Sequence, residues 1–579
     1  MILRYFTKRN WAMVAAVLAL VIAQVYFDLR IPGYMSDITD ALQLGGAAGA
    51  VRVYGAKMIA CSFASLAAAV ASAWIAARVG ADFSRTLRRL QFENVERFSM
   101  GDVDSFSPAS LITRSTNDAN QIQVFASRGL LIAIKAPIIA AWAILMIASS
   151  DFRWTAATAV AVAVIIAVNA FVLLYAMPKF RNIQWLTDDV NGVVGEDVEG
   201  VRVIRAYNAE GLQEARFDRA NDALLRNNLA AVRAMAVMFP AVGFVMNALT
   251  MSIYFLGASI INDTAPGAEQ MYLFSDMIVF SSYAMKVVNA FMMMSAIFNG
   301  LPRAMVSSKR IQEVITHEPS VADGESGGPA EARGEIEFRG VSFRYPGTDR
   351  DAVSDVSFKA RNGETVAIVG ATGSGKSTLA NLIPRFYDAC SGQVLVDGMD
   401  VREYKGKALR AKFGYVPQKA VIFSGSVRMN VNFGETSGGR TDGDVWEALG
   451  IAQASDFVRR MPEGLDSRIS QYGTNVSGGQ KQRISIARAV CRRPEFYILD
   501  DAFSALDYAT DRALRGALKR ECAGATFIVV AQRIGTVMDA DRIIVLDGGK
   551  VVGQGTHREL LESCPVYREI AESQLSGGS

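Results

Sequence analysis

Six long apolar stretches in the first half of the chain constrain its fold more than any other feature. Most of them reach or exceed the roughly 20 residues that an α-helix needs to cross the hydrocarbon core of a bilayer. Because lipid offers no hydrogen-bond partners to an open backbone, these stretches have to be helical. The sequence therefore predicts an all-α, six-helix transmembrane domain with spans near residues 11–35, 58–78, 129–150, 154–178, 234–261 and 271–300.

The Lys and Arg residues of this half predict its orientation. They are concentrated in two long polar segments, one between the second and third stretches and one between the fourth and fifth. The turn near 262–270 has no Lys or Arg, and the turn near 151–153 has only Arg153. Positive charge favours the cytoplasmic side of a membrane. We therefore expect a multi-pass protein of the cell membrane (plasma or inner membrane) whose N- and C-termini are cytoplasmic.

The overall charge and the cysteine pattern argue against two other classes of protein. The formal net charge is only +3 for 579 residues, so no basic field covers the molecule, and we expect no nucleic-acid partner. None of the five cysteines belongs to a CxxC pair, so neither a zinc site nor a disulfide framework is predicted.

The composition changes after the sixth stretch. Residues 316–334 are rich in Gly, Ala and Glu, which is typical of a linker. Beyond them, short apolar runs such as 365–369 and 496–499 alternate with helical segments, and this pattern is typical of an α/β fold. We therefore expect a transmembrane domain at 1–315, a linker and an α/β domain at 335–579.

A phosphate-binding motif, GxxxxGK[ST], opens the α/β domain. Its glycines allow successive backbone N–H groups to turn inward around phosphate oxygens, and the helix that follows adds a favourable dipole. Lys376 is expected to reach the β- and γ-phosphates, and Ser377 is expected to ligate Mg²⁺. The predicted nucleotide-binding residues of this loop are Gly370, Ala371, Thr372, Gly373, Ser374, Gly375, Lys376, Ser377 and Thr378.

A second motif, VSGGQKQR at 476–483, is similar to the signature of ATP-binding-cassette (ABC) transporters. With six apolar stretches, a linker and a P-loop domain, nearly the whole chain resembles an ABC exporter half-transporter. The resemblance implies the ABC exporter fold, with ATP and Mg²⁺ as ligands. It also implies that two cassettes close head to tail, so that the signature of one binds the γ-phosphate held by the other. The residues implied for this trans contact are Ser477, Gly478, Gly479, Gln480 and Asp507.

Further residues match the cassette pattern and take their roles from the resemblance. Tyr345 stands where the family stacks an aromatic ring on adenine, and Gln418 stands where a glutamine contacts Mg²⁺ and water. Asp500 ends an apolar strand and is implied as the carboxylate that holds Mg²⁺. The resemblance also implies that segments 110–123 and 207–216 form the tips of two cytoplasmic coupling hairpins.

The chain departs from the family pattern at the catalytic centre. Asp501 stands where the family has the glutamate that activates water, and its carboxylate is one methylene shorter. Gln532 stands where the family has a histidine, and an amide cannot become cationic near neutral pH. The loop 470–473 also differs, since it reads SQYG where the family often has GERG. These departures predict a degenerate site that binds MgATP well and hydrolyses it slowly.

The degenerate site predicts a partner. An intact signature on this chain would complete the consensus site of a second half-transporter, as in heterodimeric bacterial multidrug exporters. Lys286 and the run Met292 to Met294 in the sixth stretch favour small amphiphilic or drug-like substrates, while lipids and peptides remain open. Two rival readings also remain open: a homodimeric transporter with slow turnover, and an ATP-gated regulator or channel.

Overall fold

The structure of the protein is a computed structural model that describes residues 2–43, 48–148, 151–264, 267–329, 331, 333–434 and 439–575. The chain forms two compact units. The first comprises Met1–Asn94 and Ala109–His317, and the second comprises Val95–Pro108 and Glu318–Ser579. The second unit thus includes a short segment that precedes most of the first unit in the sequence.

Long helices make up the first unit. After a 3₁₀ turn at Ile2–Tyr5, the helices up to the linker are α1 (Lys8–Gln43), α2 (Ala48–Val95), α3 (Met100–Phe106), α4 (Pro108–Thr113), α5 (Ala119–Val124), α6 (Leu130–Ile147), α7 (Phe152–Ala206), α8 (Glu210–Asp263) and α9 (Ala268–Thr316). Two π-helical turns, Arg114–Asp118 and Phe125–Gly129, join α4, α5 and α6 into one continuous rod. Of these helices, α3 belongs to the second unit.

Among the described residues, six helical segments are long and apolar enough to cross a bilayer, which confirms the six predicted spans. Each of them contains at least one 18-residue window of high mean hydropathy with no more than two charged residues. Most run well past the predicted limits because the same helices continue into the polar segments. The segments are Lys8–Leu42, Ala48–Val95, Pro108–Ile147, Phe152–Val172, Glu210–Asp263 and Glu269–Met294.

Large side chains pack between these helices. Trp154 of α7 is 1% exposed, and its ring lies 5.4 Å from that of Phe280 on α9. The Tyr283 hydroxyl donates a hydrogen bond to the Leu29 carbonyl of α1 at 2.9 Å. Near the other end of α9, Arg114 donates to the Arg310 carbonyl at 2.7 Å. Polar contacts therefore connect α9 both to α1 and to the π-helical turn Arg114–Asp118.

The first polar hairpin turns earlier than the sequence suggested. The chain leaves α2 at Val95 and starts the next rod at Pro108, so the turn comprises 96–107 and contains α3. The expectation that 110–123 forms the tip is therefore wrong, because those residues are already helical within the returning rod. In the second hairpin the turn between α7 and α8 is short, at 207–209.

The second unit is an α/β fold, as predicted. Its strands are β1 (Ile336–Phe343), β2 (Val353–Ala360), β3 (Thr365–Gly370), β4 (Ser391–Val396), β5 (Met399–Asp400), β6 (Phe413–Val416), β7 (Gly425–Ser426), β8 (Arg468–Ile469), β9 (Phe496–Asp500), β10 (Thr526–Val530), β11 (Arg542–Asp547) and β12 (Lys550–Gly555). Its further helices are α10 (Lys376–Leu382), α11 (Gly406–Ala411), α12 (Val427–Val431), α13 (Asp442–Ile451), α14 (Ser455–Arg459), α15 (Gly478–Cys491), α16 (Tyr508–Glu521), α17 (Ile534–Val537), α18 (His557–Ser563) and α19 (Pro565–Leu575).

A six-stranded sheet in the order β12-β11-β3-β10-β9-β6 forms the centre of this unit. All neighbouring strands from β11 to β6 pair in parallel, and only β12 is antiparallel. β9 and β10 are buried along their whole length, as expected for strands covered on both faces. A second, antiparallel sheet in the order β2-β1-β4-β5 packs on it through a core that includes Phe338 and Phe358, stacked at 4.6 Å.

This topology positions the site residues. In the parallel sheet the carboxyl ends of β3, β10, β9 and β6 lie side by side, with Asp500 paired opposite Val530. The residues that follow these four ends are the phosphate loop, Gln532, Asp501 and Gln418. Ligands of open α/β sheets bind at this edge.

The predicted orientation of the spans can be tested by cysteine labelling. In a background free of the five native cysteines, we expect Asp263→Cys to react with a membrane-impermeant maleimide added to intact cells. Glu569→Cys on α19 is expected to react only after the membrane is opened, because the distribution of Lys and Arg predicts that both termini are cytoplasmic. The reverse labelling pattern would contradict the orientation.

Candidate functional site

The phosphate loop connects β3 to α10 in a conformation with positive φ at three glycines, Gly370, Gly373 and Gly375, and two of them also lie close to neighbouring strands. Gly370 and Gly375 have φ values of +155° and +95°. A Cβ on Gly370 would lie 2.2 Å from the Leu546 carbonyl oxygen, and one on Gly375 would lie 2.6 Å from that of Ala352. Both clashes involve backbone that cannot move aside. The two glycines therefore allow the loop to lie against neighbouring strands.

Lys376 lies inside the loop that it follows. Its Nζ donates to the carbonyl oxygens of Gly370 at 2.9 Å and Ala371 at 2.7 Å. Burial lowers the pKa of this amine, while the nearby carboxylates of Asp501 and Asp500 act in the opposite direction. The ammonium group is thus held over the loop interior, where a phosphate would offer stronger, charged acceptors than two carbonyls. Ser374 and Thr378 are buried beside it, whereas Thr372 and Gly373 are exposed.

Of the three residues that the sequence assigned to a metal, Ser377 and Asp500 contact each other, whereas Gln418 bonds to Asp501. Ser377 Oγ donates to Asp500 Oδ1 at 2.9 Å, and Asp500 is only 4% exposed. Burial raises the pKa of the Asp500 carboxyl, which the Ser377 hydrogen bond partly opposes. A hydroxyl and a buried carboxylate beside a phosphate loop suit Mg²⁺, a hard cation that prefers oxygen ligands. The donor set therefore fits the ion that the motif implies.

Asp501 is the point where the remaining site residues meet. Its backbone is left-handed, with φ of +49°, and its amide donates to the Val530 carbonyl at 2.9 Å. Asp501 Oδ2 accepts hydrogen bonds from Gln418 Nε2 at 3.3 Å and from Gln532 Nε2 at 3.2 Å. Asp501 follows β9, and the two glutamines that bond to it follow β6 and β10. Residues after three neighbouring strands thus meet at one carboxylate oxygen.

Tyr345 joins the site through an aromatic cluster. Its hydroxyl lies 3.1 Å from Thr378 Oγ1 on α10, and its ring contacts Phe343 edge-on at 4.9 Å. Tyr387 packs edge-on against the Tyr345 ring at 5.4 Å, and the Tyr387 hydroxyl donates to Asp104 of α3 at 3.3 Å. Burial, followed by the charge of Asp104, raises the pKa of Tyr387 to about 12. Sequence analysis missed Tyr387, because it belongs to no recognisable motif.

The signature residues start helix α15. Ser477 is its N-cap: Ser477 Oγ accepts from the Gln480 amide at 3.3 Å, and Gln480 Oε1 accepts from the Ser477 amide at 2.9 Å. This reciprocal pair is a capping box, which leaves the N–H groups of Gly478 and Gly479 available at a positive helix end. The Gly479 Cα is close to the Ala505 carbonyl, since an added Cβ would lie 3.0 Å from that oxygen.

The loop 504–507 connects the signature helix to Asp501. Gln482 Oε1 of α15 accepts from the Ala505 amide at 3.1 Å, and Ser504 Oγ donates to the Asp501 carbonyl at 2.9 Å. Asp507 caps α16 by accepting from the Thr510 amide at 2.9 Å. The pKa of the Asp507 carboxyl is lowered by its hydrogen bonds to Thr510. These hydrogen bonds therefore connect the signature helix, which is predicted to act on a partner's nucleotide, with Asp501 of this chain's own site.

Comparison with known proteins agrees with both units. Residues 13–291 match the family model for the ABC transporter transmembrane region, and residues 353–504 match the model for the ABC transporter cassette. An uncharacterized ABC transporter ATP-binding protein of Mycobacterium tuberculosis (strain CDC 1551 / Oshkosh) is 38% identical over 580 residues, covering 99% of this chain and 98% of its own. YfiB of Bacillus subtilis (strain 168), another uncharacterized ABC transporter ATP-binding protein, is 34% identical over 98% of each chain.

A more distant relative and a solved structure complete the comparison. The ATP-dependent lipid A-core flippase of Pseudomonas fluorescens (strain Pf0-1) is 32% identical over 498 residues, covering 85% of this chain and 81% of its own. The fold also resembles the solved structure of a bacterial Atm1-family ABC exporter with ATP bound. That similarity has a TM-score of 0.81 over 99% of both chains at 24% identity, so it concerns the fold.

Removal of the Lys376 amine is expected to weaken nucleotide binding by this site. We expect Lys376→Ala to weaken ATP binding at least tenfold, because the variant loses a charge-assisted contact to phosphate. Equilibrium binding of a fluorescent ATP analogue to the purified protein measures the effect. The exposed Lys550 on β12 supplies the matched control, and Lys550→Ala should bind as the wild type does. Equal affinity of wild type and Lys376→Ala would remove Lys376 from the site.

Proposed function

The chain belongs to the ABC transporter family, whose members couple ATP hydrolysis to transport, and we propose that it is the degenerate-site half of a heterodimeric exporter. In this proposal its own site binds MgATP and cleaves it slowly. Its signature, from Ser477 to Gln480, completes the catalytic site of a second half-transporter. The observation that carries the proposal is the environment of Asp501.

Three features of Asp501 favour slow hydrolysis. Its carboxylate ends one methylene short of a glutamate, so it stands about an ångström or more back from where a base would contact water, and geometry is the first requirement for general-base catalysis. Oδ2 already accepts two amide hydrogen bonds, from Gln418 and Gln532. Gln532 also stays neutral near pH 7, so it adds no positive charge to offset the charge that develops on the phosphate.

The binding half of the site is intact. Lys376 and the glycine loop are placed to hold the phosphates, and Tyr345 offers an aromatic face beside Thr378. Ser377 and Asp500 would hold Mg²⁺, which neutralises phosphate charge when bound. ATP that is bound here and not promptly cleaved would keep the two cassettes in contact at this site. Hydrolysis would take place at the partner's nucleotide site.

The proposed substrate is a small amphiphile. The first unit contains an open groove of about 740 Å³ between α7 and α8, in which Phe171 and Val237 are exposed. Its lining is mostly apolar, with Phe171, Val172 and Val237 among the contributing residues, and Arg233 supplies one cation. A relative named as a lipid A-core flippase is consistent with an amphiphilic substrate. Movement out of the cell would follow from alternation between inward-open and outward-open states.

Restoration of the family residues is expected to raise hydrolysis by this chain alone. The double variant Asp501→Glu/Gln532→His should release phosphate about 10²-fold faster than wild type, because a correctly placed general base contributes roughly 10²–10⁴-fold. Phosphate release from protein reconstituted in liposomes measures the rate, with dimer formation checked by cross-linking. Adding Lys376→Ala to the double variant is the control and should abolish the gain. A wild-type rate as fast as that of the double variant would contradict the proposal.

The heterodimer can be tested with a second half-transporter that carries the consensus glutamate and histidine. In the purified pair, Asp501→Asn should reduce turnover no more than about twofold, because the step it would catalyse is already slow. Ser477→Arg should abolish turnover, because it blocks the trans contact to the partner's nucleotide. Steady-state ATP hydrolysis by the pair decides between these outcomes. Equal losses in both variants would indicate that this chain's own site does the hydrolysis.

A further inference from the structure

Gln574 connects the C-terminal helix to the loop that carries Gln532. Gln574, near the end of α19, donates from Nε2 to the backbone carbonyl of Gln532 at 2.8 Å. Its Oε1 accepts from the backbone N–H of Ile534 at 2.8 Å. One amide therefore bonds to the backbone on both sides of Arg533, in the loop that carries Gln532 from β10 to α17.

The acceptor half of this contact replaces a missing helix cap. The short helix α17 begins at Ile534, and its N-cap residue, Arg533, provides no side-chain hydrogen bond to the first turn. The N–H groups of a first turn have no partner within the helix and need one from elsewhere. Gln574 of α19 accepts a hydrogen bond from the Ile534 N–H. This contact connects the start of α17 to α19.

The base of α19 is firmly packed. Tyr567 and Ala571 are fully buried, and the Tyr567 hydroxyl lies 2.7 Å from Nδ1 of His557 on α18. Gln574 follows Ala571 by three residues, and residues three apart lie on the same side of a helix. The amide thus projects from a helix that is anchored by its buried face.

The loop that carries Gln532 has other tethers, but they lie beside that residue. The Ala531 amide donates to the Ile368 carbonyl at 3.2 Å, and Arg533 donates to the Ser504 carbonyl at 3.4 Å. Gln574 bonds to Gln532 itself, and the Gln532 side chain in turn donates to Asp501 Oδ2 at 3.2 Å. The contact from α19 therefore lies one residue from the carboxylate at which the site converges.

We propose that Gln574 is a positioning residue: it holds the backbone of Gln532 so that the Gln532 amide stays on Asp501. The proposal rests on the proposed function in that it takes Asp501 as part of the nucleotide site. It adds that the C-terminal helix helps to set the geometry of the site. A displacement of α19 would move Gln532 and so change its hydrogen bond to Asp501. Nothing in the P-loop or signature motifs assigns such a role to this residue.

Two variants separate the two halves of the Gln574 contact. Gln574→Met keeps the length of the side chain and removes both hydrogen bonds. Gln574→Glu keeps an acceptor for the Ile534 N–H but cannot donate to the Gln532 carbonyl. Gln554 on β12 is a matched control, because it is also exposed and donates to a carbonyl, that of Ser357, at 2.8 Å. Gln554→Met should therefore behave as wild type in every measurement below.

Hydrogen–deuterium exchange of the full chain in lipid nanodiscs, without nucleotide, tests the contact directly. In Gln574→Met the peptide over 531–537 should exchange faster, because the Ile534 amide loses its acceptor. In Gln574→Glu the protection of that peptide should be retained. Unchanged exchange in Gln574→Met would overturn the proposal, and so would equally faster exchange in Gln554→Met.

A double-mutant cycle tests the positioning role, with Gln532→Met as the second change. Two quantities are measured: the rate of phosphate release and the ratio of the affinities for ATP and ADP. The affinity ratio gives a result even where phosphate release is very slow. Gln574→Met and Gln574→Glu should each raise release about three- to tenfold, the equivalent of one net hydrogen bond, because the Gln532 amide no longer occupies Asp501 Oδ2, with KM for ATP within twofold of wild type. The double variant should match Gln532→Met alone, because both changes break one chain of contacts.

The outcomes distinguish this proposal from the one on which it rests. Multiplying effects in the double variant, wild-type release in Gln574→Glu, or a raised KM with a lower melting temperature would each overturn the positioning role. Brisk hydrolysis by the unmodified chain would contradict the degenerate site, yet the cycle would still report whether Gln574 acts through Gln532.

Discussion

The parallel pairing of β3, β10, β9 and β6 is the constraint on which the nucleotide site depends. Parallel strands bring their carboxyl ends to one edge, and here four such ends carry the phosphate loop, Gln532, Asp500 with Asp501, and Gln418. These residues are spread over more than 160 positions of the chain. Without this register, Asp501 could not accept hydrogen bonds from two glutamines at once.

Asp501 shows how a small chemical difference acts through geometry. Its strained, left-handed backbone directs a short carboxylate toward two amides, both neutral and both hydrogen-bonded to the same oxygen. A longer acid and a cationic imidazole at the same two positions would place a base and a positive charge where the phosphate is cleaved. The rest of the cradle, from Gly370 to Ser377, keeps the complete phosphate-binding motif. In the function proposed above, binding and hydrolysis are separated in this way, and a second chain supplies the hydrolysis.

The membrane-spanning half follows a different physical rule. Its helices must satisfy their own backbone in lipid, so length and apolar composition decide their existence. The details of packing, such as Trp154 against Phe280, depend on which side chains meet once the helices assemble. The position of the first hairpin turn also depends on tertiary packing. The turn contains α3, whose Asp104 accepts a hydrogen bond from the Tyr387 hydroxyl, and sequence periodicity did not indicate this contact. An apolar pattern does not show where a polar helix reverses direction.

The sequence by itself determined the six spans, the α/β domain, the phosphate loop and the departures at Asp501 and Gln532. Each of these is a local property: a run of apolar residues, a glycine spacing, or the identity of one side chain. Only the tertiary structure decided that Gln418 and Gln532 share one oxygen of Asp501, that Tyr387 packs on Tyr345, and that Gln574 holds the loop of Gln532. These contacts join residues from about 30 to more than 80 positions apart, and no local pattern encodes them, because they depend on how strands and helices pack.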